Sequence, residues 1–370
     1  MLRRALLLPI ILLGACRGGG DAAIPQWTLV EDLRIGGAES GPASLTAVLA
    51  LSFDQGGRIW LVDRDRPEIR VFDPKGTFVR TIGGPGEGPG EMAVTNGFAI
   101  APNGLIWVPD HRLRRYNSFD TAGRFVASHP DLITSSSYMW DGGVDSQGRL
   151  YDRILIRRDT SYIPKFRRFR DSSLTTADTL PFPTCRSGRS QSFRLDAKNG
   201  YTIMSVPYAP LQVVAISPEG ILWCASGEQS AAVAVRIEDG DTVAQIAYDR
   251  PRLPVPVSAR DSAIAAITKQ AQEMGADLPD FGLIPSVQPA VIGLKVDDVG
   301  RVWLRVPDPA VTRFDLFDRT GARLAEVTFP RMILRWGPIA FRGDTLLAVV
   351  QDVDDVPSVV RLHLVRGTAP

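Results

Sequence analysis

A chain of 370 residues that is 44% hydrophobic and 22% charged carries enough apolar material for a large packed core, in one repetitive domain or two ordinary ones. Its 42 basic and 41 acidic residues leave a formal net charge of +1, which excludes bulk attraction to nucleic acid as the basis of function. With three histidines in all, His111, His129 and His363, a multi-histidine metal site is excluded as well.

The chain opens on a basic head (Arg3, Arg4), an apolar run over residues 5–13, and then Leu13-Gly14-Ala15-Cys16. A run this short is a signal-peptide core, too brief to cross a bilayer as a helix. The ending resembles the lipobox of bacterial lipoproteins. That resemblance implies removal of residues 1–15 as a lipoprotein signal peptide and acylation of Cys16, which makes the lipid bilayer a partner. Arg17 follows the cysteine where aspartate would direct inner-membrane retention under the enterobacterial rule, so the expected address is the cell envelope at the outer membrane. Residues 16–26 are glycine-rich and lack an apolar period, and read as a flexible tether.

Residues 27–35 have strand composition but no partner beside them. The organising phrase comes next, over residues 53–82. Gly56-Gly57 turns into Ile59-Trp60-Leu61-Val62-Asp63, a second strand ends at Phe72-Asp73, and Gly76 turns into a third. The phrase returns with Trp107 after Asn103-Gly104, Tyr151 after Gln147-Gly148, Trp223 after Glu219-Gly220 and Trp303 after Val299-Gly300, and in degenerate form at Leu347. A further strand precedes each turn. Recurring four-strand units predict an all-β fold, a six-bladed β-propeller with four-stranded antiparallel blades. The sixth copy runs out of chain soon after Val365 and lacks its outermost strand. Residues 27–35 can supply it, closing the last blade and removing exposed sheet edges. One propeller domain is therefore expected over residues 27–366.

Two long intervals, between Tyr151, Trp223 and Trp303, hold insertions. Residues 162–170 read as a basic strand or hairpin, and 184–196 as a loop. Residues 258–275 read as one inserted helix, with Ala263, Ile264 and Ile267 on one face, Ser258 or Asp261 as its cap, and Gly275 as its stop.

The phrases DQGGRIWLVD, PNGLIWVPD and VGRVWLRV, each paired with an FD-x-x-G turn, resemble NHL repeats. The link GGPGEGPGE at 83–91 resembles the G-x-G-P-G-E segment of bacterial six-bladed β-propeller lipoproteins of uncharacterised function. The resemblance implies a propeller at the cell envelope. It leaves activity open, since such propellers include binding modules, lactonases and lyases.

Strand alternation puts the second-to-third strand loops on the same face as the links between blades. Asp63, Arg64, Asp65, Arg66, Asp110, His111 and Arg112 are the densest polar set there, and are the candidate binding residues around the central channel. Carboxylates with a histidine suit acid–base work or a divalent cation such as calcium. The 83–91 link lacks a G-K-[ST] ending, and its prolines remove amide donors, so it reads as a linker and not a phosphate loop. Trp60, Trp107 and Trp303 read as core. The basic run Arg153, Arg157, Arg158, Lys165, Arg167, Arg168 and Arg170 suits anionic glycans or lipid headgroups, or else forms the solvated side of outer strands. Cys185 and Cys224 are compatible with a disulfide or with two separate thiols. No G-x-S-x-G or H-E-x-x-H occurs. The sequence thus points to an envelope-anchored module that binds a small ligand or an envelope protein, with no cofactor and no catalysis evident. The alternative is a metal-dependent hydrolase or lyase of lactonase-like propeller type.

Overall fold

The computed structural model describes residues 23–130, 140, 142–158, 161–181, 191–198, 200–237 and 239–367. Six four-stranded antiparallel blades stand around a central channel, each ordered from the channel outward. Blade 1 is Val48–Phe53, Ile59–Asp63, Arg66–Phe72 and Phe78–Gly83. Blade 2 is Ala99–Ile100, Ile106–Asp110, Arg115–Phe119 and Phe125–Pro130. Blade 3 is Gly143–Val144, Leu150–Arg158, Ser161–Phe169 and Ala177–Pro181. Blade 4 is Val213–Ile216, Ile221–Ala225, Ala231–Arg236 and Thr242–Ala247. Blade 5 is Gly293–Val296, Val302–Val306, Thr312–Phe317 and Arg323–Phe329. Blade 6 takes Ala340–Arg342, Thr345–Gln351 and Pro357–Val365 from the end of the chain, and Gln26–Gly36 from its start.

The recurring apolar phrase follows from this geometry. Successive side chains of a strand point to opposite faces, so a strand with a blade on either side buries both. In Ile59-Trp60-Leu61-Val62 all four side chains are fully buried. Trp60 and Val62 pack toward blade 2, with Phe98, Ile106 and Val108. Ile59 and Leu61 pack toward blade 6, with Leu347 and Val349. Equivalent apolar clusters fill the other interfaces, so the core is a ring of side chains between blades.

In blades 1, 3 and 5 the turn before the second strand carries its own signature, Asp-x-x-Gly-Arg-x-Trp/Tyr. Asp54 accepts from the Arg58 amide at 2.9 Å, Arg58 Nε at 2.6 Å and Trp60 Nε1 at 3.0 Å. Asp297 repeats this with the Arg301 amide at 2.8 Å, Arg301 Nε at 2.5 Å and Trp303 Nε1 at 2.9 Å. Asp145 uses Arg149 Nε at 2.6 Å and the Tyr151 hydroxyl at 3.1 Å, and burial, aided by Asp145, pushes that phenol up to about 12. The turn needs a left-handed residue, supplied by Gly57, Gly148 and Gly300 at φ of 77°, 80° and 85°.

The first strand closes the ring. It pairs antiparallel with the last strand from Thr28↔Val365 to Gly36↔Ser358. Its first residues, Gln26 to Thr28, also pair in parallel with Glu326 to Thr328 of blade 5, a second partner that the repeat pattern does not foretell. Leu29 is buried in the cluster between blades 5 and 6. Outside, Asp32 binds Arg361 at 2.7 Å and His363 at 2.8 Å.

The helix spans Val257–Met274. Pro256 occupies its N-cap with no side-chain cap bond, so neither Ser258 nor Asp261 caps it. Gly275, at φ 62°, terminates it as expected. Of residues 162–170, all but Arg170 belong to the long third strand of blade 3, Ser161–Phe169. The loop expected over 184–196 is corrected where it is described: Ser192–Ala197 pairs with Gly200–Ser205 as a hairpin. Phe193 of this hairpin packs with Ile267 of the helix, Val206, Ala209 and Ile284. The hairpin precedes blade 4 and the helix precedes blade 5, so two blade-to-blade insertions join in one cap. Cys224 is disulfide-bonded, and Cys185 lies outside the described residues, as do Cys16 and the 1–15 segment. Among the described residues no helix is long and apolar enough to cross a membrane.

Candidate binding face

Two openings of the channel differ in what they offer. At the end formed by the first-to-second strand turns lies a cavity of about 480 Å³, bordered by Ser52, Asp54, Asp145, Ser217, Asp297 and Phe341. Of its four aspartates, Asp54, Asp145 and Asp297 are those already committed to turn amides, arginines and aromatic donors, and Asp298 accepts from the Gly343 amide at 2.9 Å. Their lone pairs serve the fold.

The opposite end carries the second-to-third strand loops, the links between blades and the cap. Here the structure separates the predicted polar set. Asp63 is buried, accepting from the Thr46 amide at 2.9 Å, Thr46 Oγ1 at 2.6 Å and the Ala47 amide at 3.1 Å. Asp110 is buried likewise, bound by the amides of Ala93 at 2.8 Å and Leu113 at 3.1 Å. Both carboxylates latch the link that enters their blade, and each belongs to its own loop. Arg64, Asp65, Arg66 and Arg112 are exposed. His111 is half-buried, with Nε2 against Asn96 Oδ1 at 2.8 Å and a buried Nδ1 that has no hydrogen-bond partner among the described residues.

Beside His111 stands a group that loop-by-loop reading does not reveal. Asp152 is buried and accepts from the Tyr116 hydroxyl at 2.5 Å and Trp140 Nε1 at 2.8 Å, with Arg167 at 3.5 Å. Desolvation pushes this carboxyl above its ordinary range, against the pull of Tyr116, Trp140, Arg167 and nearby His111. Trp140 lies where side chains at Gly97 and Gly142 would stand, so two glycines make its seat. The signal in the sequence was a carboxylate directly after Leu150-Tyr151, where blades 1 and 2 place apolar residues. A similar signal marks Arg305, a cation inside the buried strand Val302–Val306.

The link at 83–91 is structural. Met92 N–H bonds Gly84 O at 2.8 Å, the Gly88 amide bonds Glu91 Oε2 at 2.8 Å, and Arg115 and Asn117 hold the Glu91 carbonyl. The basic run is largely neutralised where described. Arg167 meets Asp152, while Arg170 and Arg168 both bind Asp178 and hold its carboxyl down at about 2. Among the described residues no three His, Cys, Asp or Glu side chains are grouped to hold a metal ion.

Fold and face together define a six-bladed β-propeller with a capped channel mouth. Residues 47–135, a stretch that includes the first two blades, match a family model described as "6-bladed beta-propeller" (DUF5128). No curated protein matches the chain. Among solved structures, a Bacteroides fragilis protein described as exported aligns with a TM-score of 0.53 and 12% identity, over 93% of this chain and 97% of its own. A DUF4221 family member from Bacteroides vulgatus aligns at 0.52 and 10%, over 94% and 100%. Virginiamycin B lyase from Staphylococcus aureus aligns at 0.47 and 11%, over 92% and 100%. Identities this low speak to the fold alone.

Proposed function

We propose that this protein is a propeller held at the cell envelope, by a lipid on Cys16, that binds a small ligand or a protein partner at the capped mouth of its channel without catalysing a reaction. The observation that carries the binding reading is the His111 imidazole. It is half-buried, fixed through Nε2 on Asn96, and keeps a buried Nδ1 with no hydrogen-bond partner among the described residues. An unpaired buried polar atom costs about 1–3 kcal/mol, and a ligand donor placed there would remove that cost. The neighbouring Asp152, Tyr116 and Trp140 give the same mouth a carboxyl, a phenol and an indole in fixed positions. The address rests on the Leu13-Gly14-Ala15-Cys16 ending, and the outer membrane is the expected location.

Protein extracted from its native envelope in mild detergent, examined by native mass spectrometry, is expected to carry a bound molecule. The His111→Phe variant, with unchanged melting temperature, is expected to lose it. Equal retention by the variant would overturn the placement. Cys16→Ser is expected to move the protein to the soluble fraction, and continued membrane retention would refute the anchor.

A further inference from the structure

On the blade 5 and blade 6 side of the same face, two arginines stand without acidic partners. Arg305 is 5% exposed, in the middle of an otherwise apolar strand. Its stem runs beside Gly293 of the innermost strand, where a Cβ would lie 3.2 Å from Arg305 Cβ and 3.7 Å from its Cδ. The glycine lets the long side chain cross the inner strand at the mouth. Its Nη1 and Nη2 donate to the Leu334 and Ile333 carbonyls at 3.3 and 2.5 Å, which takes two of the five guanidinium N–H groups.

Arg335 follows directly in that link and stacks on the exposed Trp336 at 4.8 Å. Its Nε is buried without a hydrogen-bond partner among the described residues. Neither arginine forms an ion pair among the described residues, although other buried or half-buried arginines do. Arg70 has Glu68, Arg301 has Asp297 and Asp344, and Arg250 has Asp315. Burial, together with repulsion from Arg335, brings Arg305 down to about 10, and burial lowers Arg335 as well. Two desolvated cations that repel one another are costly unless an anion joins them.

Tyr208, within electrostatic reach of Arg335, adds a hydroxyl and links the pair to the cap. Its backbone is held in the left-handed region at φ 60°, a strain that non-glycine residues rarely carry, and its hydroxyl reaches the helix at Ala259 O, 3.4 Å away.

We infer that Arg305 and Arg335, with Tyr208 at the edge of the cap, form an oxyanion site, so that the ligand of this face carries a carboxylate or phosphate group. A guanidinium fork matches either group in two parallel hydrogen bonds. The inference rests on the binding reading above and names the chemical class of its ligand.

The test is saturable binding at fixed ionic strength, with succinate and inorganic phosphate as separate probes and chloride as the control. Full-length protein is titrated by calorimetry and by thermal shift. Saturation by succinate alone assigns a carboxylate, and by phosphate alone a phosphoryl group. The Arg335→Met variant is expected to weaken that binding about tenfold or more. Its melting temperature is expected to match or exceed that of the parent, because the substitution removes a desolvated cation with an unpaired Nε. Arg305→Met is the poorer variant, since it would strand two buried carbonyls. Saturable binding that Arg335→Met leaves unchanged would overturn the site, as would a response to neither probe beyond that to chloride. A co-purified uncharged molecule that depends on His111 but not on Arg335 would overturn the oxyanion while leaving the binding reading in place.

Discussion

Asp54, Asp145 and Asp297 show how much one side chain can fix. Each carboxylate ties a turn amide, an arginine and the aromatic ring that heads the next strand, with Arg58, Arg149 and Arg301 lying over those rings. Removing one leaves a buried indole or phenol without this acceptor and takes the buried partner from an arginine; of the three arginines, Arg301 alone keeps a second carboxylate among the described residues, Asp344. Asp297→Ala is expected to destabilise the protein by about 3 kcal/mol, read as a lower urea midpoint with an unchanged slope. Asp54→Ala sits in another blade with other partners, so the double variant is expected to lose nearly the sum. The glycine turn and the aromatic after it were legible as a repeat, whereas the aspartate and arginine that lock them were not read from it, although all the partners are local. Asp63 and Asp110 were legible only as acidic loop residues. Their burial depends on links that arrive from the preceding blade, 16 to 17 positions earlier in the chain. Arg305 and Arg335 were not legible as a pair, since one belongs to a strand and the other to the link after the next two strands.

At the level of elements, the closing strand decides whether the ring exists. Leu29 is 1% exposed between blades 5 and 6, and Leu29→Ala is expected to cost about 3 kcal/mol. Deleting residues 26–36 would bare the Pro357–Val365 edge, and is expected to shift the protein toward aggregate on size exclusion relative to the parent. The strand and its role could be read from a missing repeat unit. The hairpin Ser192–Ser205 escaped for the opposite reason: it packs on the helix and not on a neighbouring blade, so the repeat gives it no template. Its alternation was nonetheless present, with Phe193 and Leu195 buried between exposed Ser192, Arg194 and Asp196. The helix was legible from composition. Its cap was not, because Pro256 sits where a polar side chain was expected.

For the whole molecule, acid is the informative stress. Arg361 holds the Asp32 carboxyl low, and Arg170 does the same for Asp178. The Thr77 amide lowers Asp73, and the Arg124 amide lowers Asp120. Groups with folded values below the unfolded 3.8 add stability above that value and lose it as pH falls through their folded range. Asp152, raised by burial, works in the reverse sense, favouring the fold below 3.8 and losing that contribution as pH rises through its folded value. Asp171, Asp239, Asp308, Asp318 and Asp344 are lowered too, so among the described residues lowered carboxyls far outnumber the one raised, and the melting temperature is expected to fall steadily between about pH 5 and about pH 2. A flat profile by calorimetry would contradict this balance.

Thr28 of the closing strand is paired on both sides, to Thr328 on one flank and to Val365 on the other, while Gln26 and Trp27 before it pair with Glu326 and Val327 of blade 5. That is where a tether from a membrane would pull. A load applied at Gln26 meets the blade 5 pairing first and reaches both blades at Thr28, where the strand is held on two flanks. In single-molecule pulling through the N-terminus, Thr328→Pro, which removes an amide on the blade 5 side, is expected to lower the first rupture force, while the same load applied through residue 367 leaves that step unchanged.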